Sequence, residues 1–204
     1  VVPRQGLLGL LVLVFTQGSA RLLGVDPEGR ASGFYAINGL LVGLALGWFY
    51  ELSWPMLVLL ALASLLNVAV AAASRSLAER YLSVPVLSLP FVLTTWVALL
   101  AAWRFTWVRP ALEPVVAAQI GVDWLPGPMV LYLKSLSAAL FQLSVPSGLL
   151  VFAGLLVSSR WATLLSVVGF ASGWLTYLAM GGLQSDLTAD VVGFNFILAA
   201  ISVG

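Results

Sequence analysis

The 204-residue sequence contains no histidine and no cysteine, and only 8% of its residues are charged. Without cysteine the chain can form no disulfide, thiolate nucleophile or zinc–sulfur site. Without histidine it has no imidazole base and no histidine metal ligand. The formal net charge of +1 provides no basic surface for nucleic acid. What remains is backbone carbonyls, hydroxyls, amides and aromatic faces, which suit a passage for a solute better than a catalyst. We therefore expect no enzyme, no cofactor, no metal and no nucleic-acid partner.

Apolar residues, in contrast, make up 61% of the sequence, and the mean hydropathy is +1.07. A soluble domain has about 25% charged and about 45–50% apolar residues. Nine basic and eight acidic side chains could not cover the surface of a water-soluble fold of this length. The composition predicts an all-α polytopic membrane protein that is embedded in a lipid bilayer.

The charges fall between apolar runs that have about the length of a membrane helix. These candidate spans cover residues 5–20, 31–50, 52–74, 81–103, 135–159, 161–185 and 191–204. Residues 105–133 differ, because they are rich in proline and charge, and we predict a linker at the membrane surface. Basic residues in short loops favour the cytoplasmic side. One side of the predicted topology carries most of them, which places the linker on the extracytoplasmic side; they are Arg21, Arg30, Arg75, Arg80 and Arg160.

Segments near the two ends of the chain are similar in sequence, and a shift of 157 residues aligns Asn38 with Asn195. Duplicated halves are common in transporters, whose sites lie at the interface between the repeats. We interpret residues 1–104 as the latter part of a first repeat, with four spans. Residues 134–204 would begin a second repeat with a re-entrant helix and three spans. An odd number of spans in each half would invert the second repeat. The alternative is chance similarity between two leucine-rich segments.

The first interrupted segment covers residues 33–43. Ile37 and Leu41 are four residues apart and share one helical face. Asn38 lies beside them and could satisfy backbone groups that are freed where glycine interrupts the helix. Phe194 and Leu198 repeat the spacing near the end of the chain. The alternative is close helix packing through a Gly-x-x-x-Gly pair.

The second interrupted segment covers residues 84–91, in which Pro85 and Pro90 flank Ser88. Proline lacks an N–H, so two prolines disrupt helical pairing on both sides of the serine. Unpaired carbonyls at membrane depth are tolerated only where they meet protein or a water-filled cavity. Ser88 would add its hydroxyl to a short row of acceptors. The alternative is a proline-kinked helix whose serine bonds to its own backbone.

The third interrupted segment runs from Lys134 to Gly148 and is too short to cross the membrane before Pro146. We predict a re-entrant half-helix in this segment. Near its tip it would present three side chains, namely Ala139, Leu140 and Gln142. The alternative is an interfacial helix that leads into the next span.

At these segments the chain resembles the urea transporter family. The family's Leu-Pro-x-x-Thr-x-Pro-Phe signature is similar to residues 84–91, with Ser88 in place of the threonine. Its Gly-x-Tyr-Gly-[Tyr/Phe]-Asn-x-x-Leu-Val-Gly stretch is similar to residues 33–43. Its Asn-Pro-x-x-Gly-Leu-Leu segment is similar to residues 146–150, with Val145 in place of the asparagine. The resemblance covers essentially the whole chain in the expected order.

The resemblance implies two inverted halves, each with five spans and one re-entrant helix, in a trimer with one pore per protomer. It also implies a multi-pass protein of the plasma or inner membrane. In such transporters urea passes passively through a flat slot beside a row of oxygen acceptors. Carried over by position, Ser88 matches the acceptor threonine. Ile37 and Leu41 match one wall of the slot, and Phe194 and Leu198 match the other.

Three departures from the family pattern bear on the substrate. Ile37 stands where an aromatic residue is expected, Ala139 where the family has Gln or Glu, and Gln142 where it has Phe. A slot without that amide and that ring could be wider or select a different small amide. The sequence therefore predicts passive transport of urea or a closely related small neutral amide. The alternative is an inverted-repeat channel or carrier for another small neutral solute, such as ammonia or short amides.

Overall fold

A computed structural model describes residues 3–81, 86, 88–104, 107–111, 124–181 and 192–203. The helices are α1 (Pro3–Leu22), α2 (Pro27–Ala31), α3 (Phe34–Phe49), α4 (Trp54–Tyr81), α5 (Leu89–Arg104), α6 (Gly127–Ala138), α7 (Val145–Ser158), α8 (Arg160–Ala179) and α9 (Val192–Val203). Within these described ranges there is no strand, only an isolated bridge between Tyr50 and Pro110. The predicted all-α class is confirmed. The chain divides into an N-terminal unit, residues 2–115, and a C-terminal unit, residues 116–204.

Among the described residues, three helical stretches are long and apolar enough to cross a membrane, namely Arg4–Leu22, Trp54–Ala78 and Arg160–Ala179. The surface is also rich in large apolar side chains: Trp103 is 86% exposed and Trp161 is 75% exposed. Water-soluble monomers rarely expose apolar side chains on this scale. Helix length, composition and surface together define an all-α membrane protein.

The remaining candidate spans are shorter as helices than the sequence suggested. α3 and α5 have 16 residues each, which is about 24 Å at a rise of 1.5 Å per residue. The apolar core of a bilayer is about 30 Å thick. α4, in contrast, continues to Tyr81, although we expected its span to end at residue 74. The sequence-based bounds were wrong here because charged residues mark the edge of the apolar run and not the end of the helix.

In the N-terminal unit, α1 crosses α3 at close range. A Cβ on Gly43 would lie 2.6 Å from the backbone oxygen of Leu8, so only glycine fits there. The core around this crossing contains apolar side chains from α1, α3, α4 and α5, among them Leu8, Val12, Val42, Leu46, Met56, Leu60 and Ala98. This close approach fixes the position of α3 within the unit.

In the C-terminal unit, α6 packs against α7 and α9, and α8 packs against α7 and α9. The core contains Leu133 and Leu136 of α6 together with Phe170 of α8. The hydroxyl groups of Tyr132 and Ser166 form a buried hydrogen bond of 2.7 Å between α6 and α8. A buried polar pair of this kind fixes the register of the two helices.

The predicted span at 135–159 and the predicted half-helix from Lys134 to Gly148 need a correction. α6 begins at Gly127 and ends at Ala138, and α7 begins only at Val145. Pro146 does not end a helix but lies in the first turn of α7, where its missing N–H has no consequence. Ser144 caps that turn by accepting a hydrogen bond from the N–H of Ser147. Between the helices, Phe141 has a φ of 57° and cannot continue a right-handed helix.

Candidate functional site

Ser88 lies in the turn that starts α5. The N–H of Leu89 donates to the backbone oxygen of Val86 at 3.2 Å, and the N–H of Val92 donates to that of Ser88 at 3.1 Å. The side chain of Ser88 is half-buried, while Pro90 is buried in the first turn of the helix. A helix therefore begins at this serine. Pro85, the other proline of the pair, lies outside the described residues.

Asn38 on α3 connects to this start of α5 and is almost completely buried, with 1% of its surface exposed. Its Oδ1 accepts a hydrogen bond of 3.1 Å from the N–H of Phe91, and its Nδ2 donates one of 3.0 Å to the backbone oxygen of Phe34. The first N–H groups of a helix have no partner within that helix. We expected Asn38 to satisfy a group freed at a glycine; the group that it satisfies is freed by the start of α5 instead.

Ile37 and Leu41 lie on α3, one turn apart, on either side of Asn38. Ile37 is 48% exposed and Leu41 is half-buried. Because Asn38 bonds to Phe91, a hydrogen bond connects α3, which carries these two apolar side chains, to the first turn of α5. Asn38 thus connects the helix that carries Ile37 and Leu41 to the helix start that carries Ser88. That these three side chains line one pathway stays a prediction.

The loop between α6 and α7, residues 139–144, is held by three buried serines. Ser137 Oγ accepts a hydrogen bond of 3.2 Å from the N–H of Ser144, and Ser144 Oγ donates one of 2.7 Å to Ser147 Oγ. The backbone oxygen of Ser137 also accepts from the N–H groups of Leu140 and Gln142, each at 3.0 Å. These serines were not among the site residues predicted from the sequence. The available signal was a serine one residue before Val145-Pro146, a helix start.

The three predicted tip residues all lie in this loop, but they differ in how far they are buried. Ala139 and Leu140 are half-buried, whereas Gln142 is only 5% exposed. Within the described loop, the accessible side chains of the three are therefore the two apolar ones. Whether any of the three contacts a solute stays a prediction.

Phe194 and Leu198 lie one turn apart on α9; Phe194 is half-buried and Leu198 is 42% exposed. Gly193 packs against Ser135 of α6, one turn before Ala139. This contact brings the start of α9 close to the loop at 139–144. Asn195, which the shift of 157 residues aligns with Asn38, is exposed.

The structure thus yields two groups of predicted site residues. Ile37, Leu41 and Ser88 lie in the N-terminal unit, and the others lie on α9 and the 139–144 loop of the C-terminal unit. That the two groups form the walls of one slot stays a prediction. In the part of the chain that the structure describes, no three acidic, histidine or cysteine side chains come together as metal ligands.

A charged cluster anchors the beginning of α3. Asp26 accepts hydrogen bonds from the Tyr35 hydroxyl and the Gly29 N–H, and Arg75 Nη1 lies 3.1 Å from its Oδ2. The Tyr35 hydrogen bond, above all, holds the pKa of Asp26 below its usual range, with further help from Gly29 and Arg75. Tyr35 is fully buried two residues before Ile37. The cluster therefore fixes the end of α3 that carries the candidate site.

The fold defines an all-α membrane protein, and comparison with known proteins identifies its family. The family model described as "Urea transporter" matches residues 1–204, and the chain belongs to that family. Urea transporter 1 of Ovis aries and urea transporter 1 of Capra hircus are each 34% identical to the chain over 80 residues. Each alignment covers 39% of this chain and 19% of the relative's length. The resemblance seen in the three interrupted segments is confirmed.

Proposed function

We propose that the complete protein carries urea, or a closely related small neutral amide, passively across the membrane through a slot in each protomer. Family membership over the whole chain supports this proposal. The structural observation that carries it is the start of α5 at Ser88, held to α3 by Asn38 beside Ile37 and Leu41. An oxygen-bearing turn next to apolar side chains is the combination that urea requires.

The physical reason lies in the chemistry of urea, which is planar, uncharged and carries four N–H donors. Moving a donor from water into an apolar surrounding without a new acceptor costs about 2–7 kcal/mol per group. The Ser88 hydroxyl would replace water as an acceptor, together with the second lone pairs of the Val86 and Ser88 backbone oxygens, each of which already accepts one hydrogen bond. Apolar side chains such as Leu41, and Leu198 on the other predicted wall, would contact the two faces of the planar solute. An ion would find no compensation for its lost hydration in such a slot.

We propose that residues 1–104 belong to one repeat and residues 134–204 to a second, inverted one, with residues 105–133 as the linker between them. On this proposal the helix–loop–helix segment of α6 and α7 contributes Ala139, Leu140 and Gln142 to the slot. We further propose a homotrimer in the plasma or inner membrane, with several passes through the bilayer. Transport, and not catalysis, would be its activity.

The test is a flux measurement on the complete protein in lipid vesicles. Urea should equilibrate without added ions and the flux should saturate, while protein-free vesicles stay tight. Methylurea, acetamide and ammonia, measured in parallel, define the selectivity. Vesicles that contain the folded protein but remain as tight to urea as the controls would refute the proposal.

Ser88→Val tests the acceptor directly, because it lacks the hydroxyl and has nearly the same size and shape as Ser88→Thr. A lost acceptor worth about 0.5–1.5 kcal/mol corresponds to a loss of flux of about two- to tenfold. Ser88→Thr keeps the hydroxyl and should retain flux. Ser172→Val is the matched control, since Ser172 is exposed on α8 and donates only to its own helix, to Val168 and Gly169. Equal flux in all three variants would contradict the role of Ser88.

A further inference from the structure

We infer that Asn38 is a positioning residue that sets the selectivity of the pathway, by holding the Ser88 turn at a fixed distance from Ile37 and Leu41. The inference rests on the proposed function, because it concerns selection among solutes at the same site. It assigns a role to a buried amide that does not itself touch the solute.

The two hydrogen bonds of Asn38 fix the orientation of its amide. The Phe91 N–H is a donor and requires the oxygen Oδ1, whereas the Phe34 carbonyl is an acceptor and requires the nitrogen Nδ2. Both partners therefore demand the same orientation of the side chain. With 1% of its surface exposed, Asn38 has little competition from water for these two bonds. The amide is thus a short, directional connection between two helices.

The connection reaches Ser88 through the first turn of α5. Phe91 follows Ser88 by three residues, and the N–H of Val92 donates to the Ser88 oxygen at 3.1 Å. A shift of the Phe91 amide therefore moves the Ser88 turn with it. On the other side, Asn38 is the chain neighbour of Ile37, and its Nδ2 bond ties it to Phe34 one turn earlier. The Asn38 side chain is consequently a direct hydrogen-bonded link between the Ser88 turn and the segment that carries Ile37.

A different explanation is that Asn38 contributes only to packing. The neighbouring helix α4 offers a control for this explanation, because Asn67 is 0% exposed and neither of its amide atoms has a hydrogen-bond partner among the described residues. Replacing Asn67 removes a buried amide of the same unit without breaking a connection to α5. A packing role predicts that changes at both asparagines have similar consequences; a positioning role predicts that they differ.

The experiment compares the complete wild-type protein with Asn38→Leu, Asn38→Gln and Asn67→Leu in vesicles. Asn38→Gln keeps both amide groups but lengthens the side chain by one methylene, so it should displace the turn without leaving Phe91 unpaired. We expect the ratio of urea to methylurea flux to change by about threefold or more in both Asn38 variants. In Asn67→Leu this ratio should equal that of wild type. Hydrogen–deuterium exchange at the Phe91 amide should accelerate in Asn38→Leu only.

The outcomes separate this inference from the proposed function. If wild type carries no urea, the proposed function fails, and the exchange rate at Phe91 still reports whether Asn38 holds α5. If wild type carries urea and folded Asn38 variants keep its flux ratio, the positioning role is refuted. An equal change in Asn67→Leu also refutes it. If Asn38→Leu does not fold, Asn38→Gln decides by the same ratio.

Discussion

The close packing of α6 against α7 makes a sharp prediction about two glycines of the same helix. Gly148 faces α6, and a Cβ on it would lie 2.6 Å from the backbone carbon of Leu133. Gly154, later in α7, is exposed, and among the described residues no neighbouring atom outside its own turn lies within 4 Å of the same position. Gly148→Ala and Gly154→Ala add the same methyl group to one helix, once against backbone and once into open space.

The expected magnitude follows from what can move. Alanine replaces glycine in a helix with a gain of about 0.5–1 kcal/mol, and this gain applies to both variants. Only Gly148→Ala must push two helices apart, because the atoms that it meets are backbone atoms of Leu133 and cannot rotate away. Overpacking of this kind costs about 1–3 kcal/mol. We therefore expect Gly148→Ala to be less stable than Gly154→Ala by about 1–3 kcal/mol.

Thermal unfolding of the complete protein in detergent, followed by tryptophan fluorescence, measures this difference. Urea flux in vesicles gives a second readout, because the 139–144 loop joins the two helices that Gly148→Ala would separate. We expect a lower melting temperature and reduced flux for Gly148→Ala, and wild-type flux for Gly154→Ala. Equal melting temperatures for the two variants would refute the close packing at Gly148.

Three further changes have definite expected outcomes. The pKa of Asp26 is lowered in the folded protein, so the ionised Asp26 carboxylate stabilises the fold above about pH 4, and this effect is lost as the pH falls towards the folded pKa. The melting temperature of Asp26→Asn should therefore lie below that of wild type at pH 6, and the difference between the two melting temperatures should disappear below pH 4. Tyr132→Phe removes the buried hydrogen bond to Ser166 and should reduce the free energy of unfolding by about 1 kcal/mol, whereas Tyr81→Phe, at an exposed position, should have no effect on it. Ile37→Phe restores the aromatic residue that the family resemblance implies; it should raise the ratio of urea to acetamide flux, and an unchanged ratio would place Ile37 outside the pathway.

The all-α membrane class followed from composition alone, because apolar content and charge depletion are properties that no long-range contact can change. The importance of Asn38 was also visible, since an amide in an apolar run requires partners. The partner of Asn38 could not be predicted, because Phe91 is 53 residues away and only the packing of α3 against α5 brings the two residues together. Local sequence patterns do not contain that information.

The segment from Lys134 to Gly148 shows how a single proline can be misinterpreted. A proline in the interior of a helix breaks or kinks the helix, whereas a proline in the first turn is favoured. Here Ser144 precedes Val145-Pro146 and caps the helix, so the proline marks a beginning. The hydrogen bond from the Ser144 N–H to Ser137 spans seven residues and follows no helical or strand spacing. That is why the loop conformation, unlike the helices, was not predictable from periodicity.

The beginning of α5 at Leu89 has an electrostatic consequence for any solute that reaches Ser88. The aligned peptide dipoles of a helix give its first turn a positive partial charge, about half an elementary charge. If Ser88 lies on the pathway, sodium and ammonium ions meet repulsion there, whereas an uncharged amide has no net charge to be repelled. Discrimination against cations would then need no ionised side chain at that depth, and it would persist at any pH at which the helix is folded.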